Sequence, residues 1–194
     1  MISNLAAGVR AFTSNAFYVD GDRRVLVDAG ANFDVASRVA DEGGLDALVL
    51  THTHRDHVGN VPAVVDAFDV DVWGFDTDQD GVDHAIADEE TVRLGDHEYV
   101  AYHTPGHKDD HLCFHSPDAG VLFAGDLVFQ GGSFGRTDLE EGDRPLLVES
   151  IERMVDVLDD DLGAMHTGHG PSVTDRPYQH VEAALESACA DGRV

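Results

Sequence analysis

A chain of 194 residues is long enough to bury a substantial core. It carries 38 acidic side chains against 12 Lys and Arg, for a formal net charge of −26, and Lys108 is its only lysine. That balance excludes nucleic-acid backbones and anionic membranes as partners, because both call for clustered Lys and Arg.

The carboxylates, 28 Asp and 10 Glu, are spread between apolar runs rather than gathered in a tail. Spread in this way they read as the coat of a folded protein, not as a disordered acidic segment. Such a coat suits concentrated salt, since at roughly 1 M the Debye length is only about 3 Å and self-repulsion is screened. No apolar run approaches the roughly 20 residues that span a bilayer. MISNLAAGVRAF lacks the charged head and long apolar middle of a signal peptide. Cys113 and Cys189 lie too far apart to suggest a disulfide framework. The expectation is a cytoplasmic protein acting on a small molecule; no feature specifies an oligomeric state.

In chain order, AFYVD (16–20) and RVLVDAG (24–30) predict a hairpin of short strands across Gly21 and Asp22. FDVASRVADEGG has helical spacing and stops on paired glycines. DALVLTHTH is an apolar strand ending in histidines. GNVPAVVDAF predicts a helix and VDVWGF another strand. Residues 76–95 are acidic, with a strand expected only near TVRL. HEYVAYHTPGH alternates and then breaks at Pro105–Gly106; HLCFHS and VLFAGD predict strands joined by a turn. GGSFGRTDLEEGD is a glycine-rich loop. RPLLVESIERMVDVL predicts a helix, GAMHTGHGPS a short strand and tight loop, and PYQHVEAALESACA a last amphipathic helix. With no internal repeat and no long linker, residues 1–194 are expected to form one α/β domain with helices covering sheets.

The densest chemical signal is THTHRDHVGN, which holds His52, His54, Asp56 and His57 within six residues. On an extended segment, side chains two apart share a face, so His52 and His54 can share one ion. Asp56 and His57 follow as the chain turns and can face a second. Imidazole and carboxylate suit zinc, iron or manganese. His107, Asp126 and His169 each follow a strand-like run, where α/β folds place their chemistry. That makes seven candidate ligands for two divalent ions: His52, His54 and His107 for one, Asp56, His57 and His169 for the other, and Asp126 between them. His84 and His97 are expected to be solvated, and His180 lies on the last helix. His103, His111, His115 and His166 lie near the cluster in sequence as supporting rather than ligating residues. Cys113 is expected in the core.

THTHRDHVGN, TPGHKDDH, VLFAGD and HTGHG, in that order, resemble the metal motifs of the metallo-β-lactamase superfamily. The resemblance covers roughly residues 12–175 and implies a four-layer αββα sandwich with the metals at one edge of its two sheets. It carries ligand roles to the same seven residues. Asp28, in VLVDAG, matches an aspartate that supports the family's site from beneath. GGSFGRTDLEEGD followed by LLVESIERM is similar to the short glyoxalase II-like branch, as is the aspartate of AGD, which bridges metals there. The implied activity is hydrolysis of a small acyl thioester by a hydroxide held between two metals, with Asp56 and Asp126 as the catalytic residues that orient the ions and the hydroxide. Zinc is the first choice of metal, with iron or manganese as alternatives. Persulfide dioxygenases share these motifs and hold one iron at positions matching His52, His107 and Asp126; that is the alternative activity. Lactonase, β-lactamase and a non-catalytic metal scaffold rank below. Glyoxalase II enzymes recognise glutathione through basic residues of a C-terminal helical region, and the last helix here has no cationic cluster. Arg136, in GRTD, either contacts a substrate carboxylate or pairs with Asp138 or Asp143. The composition also resembles that of proteins from halophilic archaea.

Overall fold

The computed structural model describes residues 1–190. Two sheets pack face to face, each with helices on its outer side. The first runs in spatial order through β1 (Ile2–Asn4), β2 (Phe17–Val19), β3 (Val25–Val27), β4 (Ala47–Val49), β5 (Val72–Gly74) and β6 (His84–Ala85). The second has the order β11 (Ala164–Thr167), β10 (Val121–Gly125), β9 (Leu112–Ser116), β8 (His97–His103) and β7 (Thr91–Leu94). β1–β2–β3 is an antiparallel meander whose β2–β3 hairpin is the one predicted across Gly21–Asp22, and β3, β4, β5 and β6 pair in parallel. Parallel pairs need crossover connections; β5 reaches β6 through a loop, and the other two pairs of this sheet use helices. These are α1 (Val35–Asp41) between β3 and β4, and α2 (Arg55–Val58) with α3 (Val61–Phe68) between β4 and β5. In the second sheet α4 (Arg144–Val157) joins the parallel pair β10 and β11, and α5 (Pro177–Ala190) packs beside it.

Strand alternation decides which side chain enters which layer. Phe17, Val19, Val25, Val27, Ala47 and Val49 face the second sheet and meet Tyr99, Ala101, Leu112, Phe114 and Phe123 there. Their neighbours Tyr18, Leu26, Leu48 and Leu50 point the other way, onto Val35 and Val39 of α1 and Val61 and Val64 of α3. On the far side, Cys113, Leu122, Ala124 and Met165 meet Leu147, Ile151 and Met154 of α4 and Val181, Ala184 and Ala188 of α5. These three apolar layers are the αββα sandwich.

Two strands escape the sequence pattern: β1, three half-buried residues, and β6, two exposed ones. α2, a single turn inside the histidine cluster, is too short to show periodicity. Among the described residues no helix is long and apolar enough to cross a membrane.

Candidate metal centre

The site lies where several strand ends meet. β4 runs through Leu50 and Thr51 into His52, β8 leads to His107, β10 delivers Asp126, and β11 delivers His169. Backbone hydrogen bonds stitch these exits together: Leu112 N–H donates to the Thr51 carbonyl at 2.7 Å, Gly168 N–H to that of Gly125 at 2.7 Å, and Ser14 N–H to that of Asp56 at 3.1 Å. Two glycines let the chain come this close. A Cβ on Gly168 would collide with the Asp126 carboxylate, and one on Gly125, whose φ is +48°, with the His111 ring.

The tightly bunched donor atoms form two trios with no common member, His52–His54–His107 and Asp56–His57–His169; within each, the atoms lie within 4.8 Å of one another. A third grouping, His52–His57–Asp126, links them. Asp126 stands between: one carboxylate oxygen is 3.4 Å from His57 Nε2 and the other is 3.4 Å from His107 Nε2 and 3.5 Å from His169 Nε2. Asp56 Oδ2 lies 3.0 Å from His169 Nε2.

Outer contacts fix which nitrogen each ring presents. The Thr51 hydroxyl donates to Asp28 at 2.7 Å, so its oxygen is left to accept from His52 Nδ1–H at 3.1 Å. His57 Nδ1–H donates to Asp28 at 2.8 Å, and His107 Nδ1–H donates to the Arg136 carbonyl at 2.8 Å. All three rings therefore turn Nε2 inward, and the outer partner holds each tautomer. Three atoms at the centre are buried without a hydrogen-bond partner: His52 Nε2, His57 Nε2 and Asp126 Oδ1. Buried polar atoms are rarely left so. A lone pair facing a carboxylate with nothing between them is what a cation would satisfy, and the N/O donor set suits a divalent metal.

The electrostatics agree. Burial pushes His52 well below the usual histidine range, reinforced by His57 and His111, and burial with His107 close by brings His54 down to about 4. Both rings are thereby held neutral, the form in which an imidazole can take a metal. Burial opposes charge on Asp126, yet His57, His169 and His107 hold its pKa well below the usual carboxylate range. Burial also works against a proton on His57, but Asp28 and Asp126 on either side raise its pKa well above normal. A proton and a metal cation compete for that nitrogen.

Of the histidines near the cluster in sequence, His111 supports the site directly. It is fully buried, donates from Nδ1 to the Thr104 hydroxyl at 2.8 Å and accepts the Asp126 backbone N–H on Nε2 at 3.0 Å. In sequence only its nearness to the cluster points to it, a nearness it shares with His103, His115 and His166. His103 instead stacks on Phe75, and His166 bonds Ser172. His115 sits in β9 with Nδ1 unpartnered. His84 and His97 are exposed; His84 pairs with Asp71 at 3.3 Å. His180 accepts the Gly131 N–H. Cys113 is buried, with its thiol pushed up to about 12. Thr51, unremarkable in sequence, links Asp28 to His52. The Arg136 side chain grips both oxygens of Asp138 at 2.7 and 2.8 Å, while Asp143 caps α4. A pocket of about 760 Å³ opens beside the cluster, reaching His54, Asp56, His107, Asp126 and His169.

A family model for the metallo-β-lactamase superfamily matches residues 9–175. The hydroxyacylglutathione hydrolase of Enterobacter sp. (strain 638) is 36% identical over 152 residues, covering 75% of this chain and 59% of its own length. The chain thus spans about three-fifths of that relative. Among solved structures, the BLEG-1 B3 metallo-β-lactamase aligns with a TM-score of 0.76 at 26% identity, over 96% of this chain and 97% of its own. TTHA1623 in a di-iron-bound form aligns at 0.73 and 28% identity, over 92% and 94%. Sandwich, site and sequence match agree: the chain belongs to the metallo-β-lactamase superfamily.

Proposed function

We propose that this chain is a dinuclear metal-dependent hydrolase of small acyl thioesters, built as one domain over residues 1–194. The observation that carries the reading is the position of Asp126, whose two oxygens each lie 3.4 Å from a ring nitrogen of a different donor trio. His52, His54 and His107 would hold one ion, Asp56, His57 and His169 the other, and Asp126 both. Zinc fits this donor set best, with iron or manganese as alternatives. Held there, two divalent cations supply Lewis acidity that polarises a carbonyl and brings the pKa of a water toward neutrality.

The chain's own groups do the rest. The carboxylates of Asp56 and Asp126 orient the attacking water, whose proton passes to the departing sulfur. Water adds to the acyl carbon, the C–S bond breaks, and a carboxylic acid and a thiol leave. Asp28 and the Arg136 carbonyl keep His57 and His107 from turning during the reaction. Phe129 and Phe134 wall the pocket and keep bulk water from the acyl group. The 36% identity to a hydroxyacylglutathione hydrolase supports a thioester over a β-lactam. A one-iron persulfide dioxygenase would use His52, His107 and Asp126 and leave the Asp56–His57–His169 trio without a role.

The test is metal analysis with a panel of thioesters, lactones, β-lactams and persulfides. Two ions per chain and cleavage of a lactoyl thioester are expected, with His54→Ala lowering turnover about a hundredfold or more. Undiminished turnover in His54→Ala contradicts the scheme, and one iron with persulfide-dependent oxygen uptake replaces it.

We further propose a salt-rich cytoplasm as the working medium. With 38 acids against 12 bases, self-repulsion destabilises the fold until ions screen it. The thermal midpoint should climb steadily between 0.1 and 2 M KCl. A flat midpoint over that range contradicts halophilic adaptation.

A further inference from the structure

Two cationic side chains besides histidine line the pocket, Arg55 and Arg136. Arg136 is committed: its Nε and terminal nitrogen hold both oxygens of Asp138, the bidentate arrangement an incoming carboxylate would otherwise seek. Arg55 is exposed and has no ion-pair or hydrogen-bond partner among the described residues. Arg24, Arg93, Arg153, Arg176 and Lys108 each hold a carboxylate; of the two exposed arginines without a partner among the described residues, Arg10 and Arg55, only Arg55 lines the pocket. A solvated surface arginine is the plain alternative, but the position argues against it. Arg55 lies between the site residues His54 and Asp56, at the rim where the main pocket meets two neighbouring clefts of about 340 and 570 Å³. The pocket is otherwise walled by Phe129, Phe134 and Leu139, with Phe12, 76% exposed, stacked on His169 at its mouth.

One free cation beside an apolar wall recognises an amphipathic anion. We infer that Arg55, rather than Arg136, receives the substrate's anionic group, and that the substrate is an acyl thioester whose thiol carrier has an apolar body and a single carboxylate. This rests on the thioester reading above. Arg55 is a specificity residue here, binding the carrier away from the bond that breaks.

The test compares the acetyl thioester of 3-mercaptopropionate with the same compound as its methyl ester, which removes the charge and adds one methyl group. Both are assayed with the metal-loaded full chain at one fixed salt concentration. Wild type should show a KM about fivefold to tenfold lower for the acid. Arg55→Gln should abolish that preference and Arg136→Gln preserve it. A preference that survives Arg55→Gln, disappears in Arg136→Gln, or is absent from wild type overturns the inference. Should wild type cleave neither compound, the thioester reading fails, and calorimetric binding of 3-mercaptopropionate and of its methyl ester decides for Arg55. Weaker binding of the acid alone in Arg55→Gln supports the inference; equal binding of acid and ester by wild type, or equal loss of both, overturns it.

Discussion

Asp126→Ala is expected to reduce thioester turnover on the order of a thousandfold and to lower the metal content below two ions per chain. The reason is position. Asp126 is nearly buried, its backbone N–H is held by His111, and its side chain is the group that reaches both donor trios. Removing it takes one oxygen from each site at once. Cations contribute several kcal/mol of transition-state stabilisation, and each 1.36 kcal/mol is tenfold in rate. Losing about 4 kcal/mol therefore gives the thousandfold. The fold should survive, because Asp126 contributes to none of the apolar layers. Turnover within tenfold of wild type, at full metal content, would contradict the bridging role.

Asp28 carries the second large effect, and it separates stability from metal binding. Its carboxylate is buried and accepts three hydrogen bonds, from Thr51 N–H at 2.8 Å, the Thr51 hydroxyl at 2.7 Å and His57 Nδ1–H at 2.8 Å. Asp28→Ala strands all three donors in the interior. Breaking such a buried network costs about 3–5 kcal/mol, a loss on the order of 10 °C in thermal midpoint for a chain of this size. Asp28→Asn should fold better, since Asn tolerates the positive φ of +59° found there. Its amide keeps one acceptor oxygen but turns a donor toward Thr51 and His57. When that donor faces His57, the ring is driven to carry its proton on Nε2, where a metal lone pair is needed. Asp28→Asn should therefore lower metal affinity about 10- to 100-fold with a smaller loss of midpoint. Equal metal affinity in wild type and Asp28→Asn would show that His57 does not depend on this contact.

Much of this architecture is legible in the residues because it rests on local pattern. The alternation of Phe17, Tyr18 and Val19, or of Val25, Leu26 and Val27, assigns each side chain to a layer before any fold is seen. The crowding of His52, His54, Asp56 and His57 announces a metal centre because a core has no use for it. Other features depend on remote segments meeting. Thr51 looks like an ordinary strand residue until Asp28 and His52 lie on either side of it. His111 is one of four histidines near the cluster in sequence until its ring takes the Asp126 N–H. The group that orients His107 is the backbone carbonyl of Arg136, which no side-chain motif can signal. For Arg136 the sequence leaves open a substrate carboxylate, Asp138 or Asp143, and the folded loop decides for Asp138; Arg55 carries no signal of its own. β1 and β6 are too short to show a period; the sheet edge beside them, not their composition, makes them strands.

The central claim is that two cations sit between the trios with Asp126 shared. Anomalous diffraction from metal-loaded crystals, collected at the absorption edge of the bound metal, tests it most directly. The expected map has two peaks about 3.5–4 Å apart, one among His52, His54 and His107, the other among Asp56, His57 and His169, each within about 2.0–2.2 Å of an Asp126 oxygen. A single peak, or two peaks with Asp126 bound to neither, would contradict it.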